Sequence, residues 1–321
     1  MGKRNASRKI NTAILASRIA KPQILRSIIK ISVIYVLCSP LCAFGQDSVR
    51  VFYLGGQSNM DGFGYNEDLP DDLMEFNDFY IFHGNSANDG EIGGLGLWEE
   101  LKPGHGKGHQ STADGNQLSD RFGMELSFAA TLQKQYPGEK IALIKYSKGG
   151  TSIDTLGNPL RGTWDPYFRS KTNQYDHFLA TLRNACANTD IDHDGVEEIL
   201  IPSGIIWMQG ESDAATAEMA SRYLDHLRKL ITLFRAALRD DDLPVVIGKI
   251  SDSWHERYNG KVWKYGELIQ HAQEEFVRTD KKAAIVRQTR YYKYSDPWHY
   301  TSDDYIDLGQ RFASELVGLC D

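Results

Sequence analysis

The chain has 321 residues, a formal net charge of −7, 41% hydrophobic residues and 25% charged residues. This composition is ordinary for a soluble globular protein, and the length fits one large α/β domain or two small ones. No run or face rich in Lys and Arg appears after residue 45, so the sequence excludes the basic footprint of nucleic-acid binding and predicts no nucleic-acid partner.

The first 45 residues differ in composition from the rest of the chain. Residues 1–30 contain many basic residues and no acidic one, an apolar run extends over residues 31–44, and small residues precede Gln46. This order is typical of a secretory signal peptide, and the apolar run is short for a membrane span of about 20 residues. We predict cleavage of residues 1–45 and a secreted or periplasmic protein without membrane contact; an uncleaved membrane anchor is the alternative.

Five segments of apolar and β-branched residues alternate with helical patterns in the remaining sequence. The predicted strands are residues 49–54, 140–146, 204–208, 244–250 and 284–287. Apolar residues at helical spacing predict helices over residues 123–135, 175–187, 214–239, 265–278 and 302–317. Strands that alternate with helices build a mainly parallel sheet covered on both faces. The sequence therefore predicts one α/β domain, residues 46–321, with a five-stranded sheet.

Residues 61–117 fit this alternation poorly. The segment is rich in Gly, Asn and Asp and has little periodicity. A loop of this length in a compact domain is usually functional or disordered. Side chains such as Trp98, Glu99, His105 and His109 are therefore candidates for lining a substrate cleft, and a surface excursion is the alternative.

A candidate nucleophile follows the first predicted strand. Residues 53–60 read Tyr-Leu-Gly-Gly-Gln-Ser-Asn-Met, which places Ser58 in a tight turn at the carboxyl end of a strand. Open α/β sheets bind their ligands at that edge. A serine hydroxyl is a poor nucleophile until a base takes its proton, so the rest of the chain must supply one.

His299 is the candidate base. It lies in Asp-Pro-Trp-His just before the last predicted helix, and Pro297 favours a turn. Such a turn can bring the Asp296 carboxylate to the imidazole Nδ1 and leave Nε2 to face Ser58. The alternative is that Asp296 only begins the turn.

Two further turns follow the second and third predicted strands. Residues 147–152 read Ser-Lys-Gly-Gly-Thr-Ser, and residues 209–213 read Gln-Gly-Glu-Ser-Asp. Both turns lie at the same edge of the sheet as Ser58. A glycine N–H, the Ser58 N–H and the Gln209 side-chain amide could together stabilise a developing oxyanion.

These motifs in order, GQSNM, KGGTS, WMQGESD and DPWH, resemble the SGNH (GDSL-like) hydrolase superfamily. Within it they resemble the branch of sialate O-acetylesterases and carbohydrate esterase family six. Residues 122–128, FGMELSF, also resemble that branch, and the resemblance covers about residues 49–317. It implies a flavodoxin-like, three-layer α/β/α sandwich.

The resemblance also implies roles for individual residues. Ser58 matches the nucleophile, His299 the general base and Asp296 its orienting carboxylate. The other matches are the oxyanion-hole donors Ser58, Gly150 (with Gly149 as the alternative) and Gln209, and the supporting hydrogen-bonding residues Gln57, Asn59 and Glu211.

The implied activity is removal of O-acetyl groups from an acetylated oligo- or polysaccharide, without a cofactor. An acetylxylan esterase, or an esterase on another small acyl ester, is an alternative within enzymes. A carbohydrate-binding module on the same fold is the non-enzyme alternative. A metallohydrolase would need a cluster of histidines and carboxylates at the strand ends, whereas the histidines are scattered along the sequence.

An acidic segment and two cysteines leave further alternatives open. Asp190, Asp192 and Asp194 have the spacing of calcium ligands, but Ile201 stands where an EF-hand has Glu. A structural Ca²⁺ site and a solvated acidic turn are both consistent with this spacing.

Cys186 and Cys320 could form a disulfide in an oxidising compartment or remain two buried thiols.

Overall fold

Strands and helices alternate along the part of the chain that the structure describes. The computed structural model describes residues 47–88, 91–169 and 172–320, without the side chain of Cys320. The described strands are β1 (Ser48–Gly56), β2 (Gly64–Tyr65), β3 (Phe79–His83), β4 (Trp98–Glu100), β5 (Gln110–Ser111), β6 (Asn116–Gln117), β7 (Arg121–Phe122), β8 (Ile141–Ser147), β9 (Ile199–Met208), β10 (Val245–Gly248) and β11 (Ala283–Val286). The described α-helices are α1 (Ser58–Asp61), α2 (Glu125–Gln135), α3 (Gln174–Ala185), α4 (Ala217–Leu238), α5 (Gly266–Thr279) and α6 (Ser302–Cys320). Short 3₁₀-helices span Asn66–Asp68, Asp71–Leu73, Ser212–Ala215, Glu256–Tyr258 and Gln288–Tyr291.

Within the described residues, seven strands form the main sheet in the order β11-β10-β9-β1-β8-β3-β4. Neighbouring strands pair in parallel except β3 and β4, which pair antiparallel at one edge. The central strand β1 ends at Gly56, which pairs with Ser147 on one side and Met208 on the other. The carboxyl ends of β1, β8 and β9 therefore lie side by side at the edge where such sheets bind ligands.

Helices cover both faces of this sheet. Side chains of a strand alternate between its two faces, so Val51 and Tyr53 pack in one core with α3, α4 and α5. Phe52 and Leu54 pack in the other core with α2 and α6. Because both faces of β1 are buried, its sequence is almost continuously apolar, as expected for a parallel sheet. The predicted three-layer α/β/α sandwich is confirmed.

Side-chain caps explain where two of the helices begin. The Asn173 side chain accepts hydrogen bonds from the first backbone N–H groups of α3. The Thr216 side chain accepts one from Met219 N in the first turn of α4. Such caps satisfy N–H groups that have no partner within the helix.

The five predicted strands are confirmed as β1, β8, β9, β10 and β11, but the predicted strand number is wrong. β3 and β4 also join the sheet, and both come from residues 61–117. β3 is a short run of mostly aromatic residues, Phe79–His83, and β4 has only three residues. Segments this short carry too few residues to show a period in the sequence.

The structure does not test the predicted signal peptide. The signal peptide predicted for residues 1–45 lies outside the described residues, so export stays a prediction. No helix in the described part of the chain is long and apolar enough to cross a membrane.

Cys186, after α3, is a free and exposed cysteine, so in this structure it is neither disulfide-bonded nor a buried thiol. The side chain of its predicted partner, Cys320, lies outside the described residues.

Candidate active site

The Ser58 turn depends on a glycine at the end of β1. A Cβ atom on Gly56 would lie 2.0 Å from the carbonyl oxygen of Met208, so only glycine lets the two backbones approach this closely. Gln57 N donates to that same carbonyl oxygen at 2.9 Å. The chain then turns into α1, which begins at Ser58.

Ser58 and His299 line the same cavity, which has a volume of about 430 Å³. Its aromatic wall consists of Phe63, Trp263 and Trp298. The other lining residues are Gln57, Lys107, Lys148, Gly149, Gly150, Arg161 and Ser212. Residues from all four sequence motifs, GQSNM, KGGTS, WMQGESD and DPWH, therefore meet at one opening on the carboxyl edge of the sheet.

The Asp296 carboxylate holds the His299 ring as the sequence predicts. Asp296 Oδ2 lies 2.6 Å from His299 Nδ1. The other oxygen, Oδ1, accepts hydrogen bonds from the backbone N–H groups of Trp298 and His299 at 2.7 and 2.9 Å. The Phe63 ring stacks on the imidazole, with centroids 3.5 Å apart. These contacts fix the ring orientation and leave Nε2 as the nitrogen available for proton transfer.

Burial lowers the pKa of His299 below its usual value of 6.5, and the Asp296 carboxylate opposes this shift. A lowered pKa keeps the imidazole neutral at neutral pH, which is the protonation state of a general base. The site can therefore accept a proton from a hydroxyl group that enters hydrogen-bond distance of Nε2.

Asn59 joins the serine turn to the histidine turn. Its side-chain nitrogen donates to Glu211 Oε1 at 2.8 Å and to the Trp298 carbonyl oxygen at 3.2 Å. Its side-chain oxygen accepts from the Tyr305 hydroxyl at 2.8 Å. Both Asn59 and Glu211 are buried, so these bonds are shielded from water. The supporting roles expected for Asn59 and Glu211 therefore have a geometric basis.

The two glycines after β8 lie beside Ser58. Lys148 N donates to the Gly56 carbonyl oxygen at 3.1 Å, which joins this turn to the serine turn. A Cβ atom on Gly149 would lie 3.3 Å from Ser58 Cβ, and Gly150 has a φ of +76° that favours glycine. Within the described residues, the backbone N–H groups of Ser58, Gly149 and Gly150 donate to no protein acceptor. They remain available to an oxyanion.

Gln209 does not take the position expected of an oxyanion donor. Its side chain is fully buried and is not part of the cavity wall. The amide nitrogen instead lies 3.1 Å from the Thr151 carbonyl oxygen and 2.6 Å from Asp213 Oδ2, and the amide packs 3.2 Å from that of Gln57. A direct contact between Gln209 and the oxyanion does not follow from this geometry, because its donors already have acceptors behind the cavity wall.

Asp213, which the sequence analysis missed, anchors this buried layer. Burial raises its pKa to about 7, although hydrogen bonds from Gln209 and from Ile153 N favour the charged form. Its two oxygens accept from Ile153 N at 3.1 and 3.2 Å. The carboxylate thereby links the turn after β9 to the turn after β8. The only signal in the sequence was its place at the end of the Gln-Gly-Glu-Ser-Asp run.

Three cationic side chains line the Ser58 cavity: Lys107, Lys148 and Arg161. Within the described residues, none of them has a carboxylate oxygen within 4.0 Å. Burial lowers the pKa of Lys148; the nearby Asp61 carboxylate opposes this shift, and Lys107 and Arg161 add to it. The Lys148 ammonium donates to Ser86 Oγ at 3.0 Å. The opening is therefore positively charged in a protein whose net charge is −7.

The candidate cleft residues from residues 61–117 lie in different parts of the structure. Trp98 is buried in the core, where its indole nitrogen donates to the Ala185 carbonyl oxygen at 2.9 Å, so its prediction as a cleft residue is wrong. Glu99 is the middle residue of β4, and its carboxylate lies 3.6 Å from His105 Nε2. His105 and His109 come together with His83. The histidines that are scattered in the sequence are therefore clustered in the fold, and His83 was missed.

The three aspartates of the acidic segment also lie together. The ligand oxygens of Asp190, Asp192 and Asp194 are within 4.8 Å of one another. However, the Lys140 ammonium lies 2.6 Å from Asp192 Oδ2 and supplies positive charge there. Calcium binding at this turn stays a prediction.

A family model matches the chain in sequence. The model of a family described as carbohydrate esterase, sialic acid-specific acetylesterase, matches residues 48–318. No curated protein matches the chain at a significant level.

Solved structures resemble the chain in fold. A protein from Arabidopsis thaliana is 21% identical, with a TM-score of 0.57 over 84% of this chain and 98% of that chain. NanS is 15% identical, with a TM-score of 0.56 over 86% of this chain and 98% of NanS. A carbohydrate acetylesterase from Xanthomonas citri is 18% identical, with a TM-score of 0.55 over 84% of this chain and 57% of that protein. At these identities the likeness shows a shared α/β fold.

Proposed function

The chain belongs to the carbohydrate esterase family of sialic acid-specific acetylesterases, and from this premise we propose that Ser58, His299 and Asp296 perform its ester hydrolysis. The resemblance inferred from the four sequence motifs is thereby confirmed. As a family member the protein is a carboxylic ester hydrolase that removes O-acetyl groups from carbohydrates. The observation that carries the residue assignment is the shared cavity of Ser58 and the Asp296-bound His299.

The proposed reaction has two halves. His299 Nε2 takes the proton of Ser58 Oγ, which attacks the acetyl carbonyl carbon and forms a tetrahedral intermediate. The bond from this carbon to the sugar oxygen then breaks, and His299 returns the proton to the leaving sugar oxygen. In the second half, His299 deprotonates a water that attacks the acetyl-enzyme, and acetate leaves with Ser58 Oγ reprotonated. Every step uses side chains and water, so we propose that no cofactor takes part in the chemistry.

We assign the oxyanion to the backbone N–H groups of Ser58 and of Gly150, with Gly149 as the alternative. Their N–H groups have no protein acceptor among the described residues, whereas the Gln209 amide is already bonded. In this assignment Gln209 positions the turns that carry the donors. A preorganised donor of this kind contributes about 10²- to 10³-fold in rate.

For the substrate we propose an acetylated sugar that carries a negative charge, such as an O-acetylated sialic acid. Lys107, Lys148 and Arg161 surround the cavity without carboxylate partners among the described residues, and they would attract a carboxylate. Trp263 and Trp298 offer flat apolar surfaces for a sugar ring. A neutral acetylated xylan is the second candidate, and it would gain nothing from the three cations.

Replacing Arg161 with glutamine tests this charge preference. We expect kcat/KM for an O-acetylated sialic acid to fall about 3- to 10-fold, because an exposed charge pair contributes about 1 kcal/mol, while kcat/KM for an uncharged aryl acetate changes less than twofold. The matched control is Arg183→Gln, an exposed arginine of α3 that should leave both rates unchanged. Equal losses on charged and neutral esters would contradict the proposal.

Replacing Asp296 with asparagine tests the orienting carboxylate. We expect kcat to fall about 10²- to 10⁴-fold, because the amide no longer holds the His299 tautomer. The Asp296 carboxylate raises the pKa of His299 against burial, so its loss lowers that pKa further. Since activity needs neutral imidazole, the acidic limb of the pH–rate profile moves to lower pH in the variant.

Rates measured from about pH 4 to 9 check both parts of this prediction. An unchanged kcat would show that Asp296 serves only the turn. A limb that moves to higher pH would show that the carboxylate does not raise the pKa of His299.

A further inference from the structure

Three histidines from two distant segments meet beside the active site. His83 is the last residue of β3, and His105 and His109 follow β4 in a glycine-rich turn. One ring nitrogen of each histidine lies within 4.8 Å of the corresponding nitrogen of the other two. The rings of His83 and His109 stack with centroids 4.0 Å apart. No step of the proposed ester hydrolysis uses these side chains.

The nitrogens of this cluster have no partners that would explain their burial. His83 is 8% exposed and His105 is 0% exposed. Among the described residues, no hydrogen-bond partner exists for His83 Nδ1, His109 Nε2 or either ring nitrogen of His105. Native proteins rarely leave several buried polar atoms unpaired in one place. A ligand that bonds to nitrogen would satisfy all three side chains at once.

The protonation state of the cluster suits a cation rather than an anion. The three ring nitrogens lie within 4.8 Å of one another and are largely shielded from water, so three positive charges there would repel one another strongly. Neutral imidazole, which such a site favours, is the form that binds metal ions. An anion would gain no charge attraction from three neutral rings.

Nearby charges do not oppose the binding of a cation at this cluster. The Lys145 ammonium lies 2.8 Å from the His105 carbonyl oxygen, but it is paired with the Glu125 carboxylate at 2.9 Å. Glu99 Oε1 lies 3.6 Å from His105 Nε2. A carboxylate behind a ligand histidine commonly orients the ring and strengthens metal binding.

We propose that His83, His105 and His109 bind one divalent transition-metal ion, with Zn²⁺ as the expected occupant. Three neutral imidazoles form a known zinc ligand set, with nitrogen–zinc distances of about 2.0–2.1 Å. The three nitrogens lie within 4.8 Å of one another, so at most small side-chain rotations are needed to bring all three to one ion. Softer thiolate ligands are absent from the cluster, so nitrogen-preferring ions are selected.

The ion would fasten the turn of residues 104–109 to the end of β3. His83 and His109 line a second cavity of about 460 Å³, whose wall also includes Asp61, Lys107 and Lys148. Lys107 and Lys148 line the Ser58 cavity as well. The metal site thus lies next to the catalytic opening and holds the segment that carries Lys107, while the ester chemistry remains with Ser58.

Metal titration of the full chain, without affinity-tag histidines, tests the proposal independently of esterase activity. Protein stripped with a chelator is titrated with Co²⁺ and then with Zn²⁺. We expect about one equivalent of Co²⁺ to give the visible spectrum of a nitrogen-ligated site and to be displaced by Zn²⁺. His109→Ala should weaken Zn²⁺ binding roughly 100-fold or more. The matched control is His271→Ala, an exposed histidine of α5 that should bind Zn²⁺ as the wild type does.

X-ray absorption of the zinc-loaded wild type gives a readout that needs no variant to fold. Three imidazole ligands would support the proposal. Oxygen ligands alone would place the ion elsewhere, for example at Asp190, Asp192 and Asp194, and would overturn it. Zinc affinity that is equal in the wild type and in a folded His109→Ala protein would overturn it too.

Discussion

Replacing Ser58 with alanine is expected to lower kcat for acetyl ester hydrolysis by about 10⁴- to 10⁶-fold, the range seen when a serine hydrolase loses its nucleophile. The alanine has no oxygen that could form the acetyl-enzyme, and His299 then has no hydroxyl to deprotonate. Residual hydrolysis would come from water, aided by binding and the oxyanion donors. Initial rates on an aryl acetate and on an O-acetylated sialic acid measure the effect.

The matched control is Ser212→Ala, because Ser212 is a second serine in the wall of the same cavity. We expect its kcat to stay within tenfold of the wild type. If Ser212→Ala abolished hydrolysis and Ser58→Ala did not, the nucleophile would be misassigned. If neither variant lost activity, the protein would hydrolyse esters without a serine of this cavity.

Replacing Glu125 with glutamine is expected to destabilise the fold by about 3–5 kcal/mol, the usual cost of leaving one charge of a buried ion pair without its partner. Glu125 and Lys145 are both 0% exposed, and Glu125 Oε2 lies 2.9 Å from Lys145 Nζ. Lys145 also donates to the carbonyl oxygens of Asp61 and His105. The loss of this pairing therefore loosens both α1 and the turn of residues 104–109.

Urea denaturation of the wild type and of Glu125→Gln measures this cost as a change in the free energy of unfolding. The control is Glu139→Gln, because Glu139 forms an exposed ion pair with Arg50 at 2.7 Å, where a cost of about 1 kcal/mol or less is expected. If both substitutions cost the same, the Lys145 ammonium finds another partner, and the proposed role of the Glu125–Lys145 pair in holding the site is wrong.

The sequence predicts the parallel core and the catalytic residues because both leave local signals. β1, β8 and β9 are mostly apolar runs, and the turns that follow them contain glycine and polar residues at the sheet edge. Asp296 and His299 contact each other within one turn, so their relation depends only on neighbouring residues. The expected geometry of this pair follows from its spacing and from Pro297.

The features that the sequence does not predict depend on contacts between distant segments. The burial of Gln209 results from Asp213 and from the Thr151 carbonyl oxygen, which the chain brings together only after β8 and β9 pair with β1. The histidine cluster requires His83 at the end of a short strand and a turn with positive φ at Gly104 and Gly108. The spacing of residues in the sequence does not predict such contacts between distant segments.

Covalent labelling shows whether Ser58 is the residue that carries the acetyl group during hydrolysis. Wild-type protein is treated with a serine-directed fluorophosphonate, and the modified residue is located by peptide mass spectrometry. We expect one adduct on Ser58, loss of esterase activity in proportion to labelling, and no adduct in Ser58→Ala. Full inactivation with the label on another residue, or full activity in protein labelled at Ser58, would contradict it.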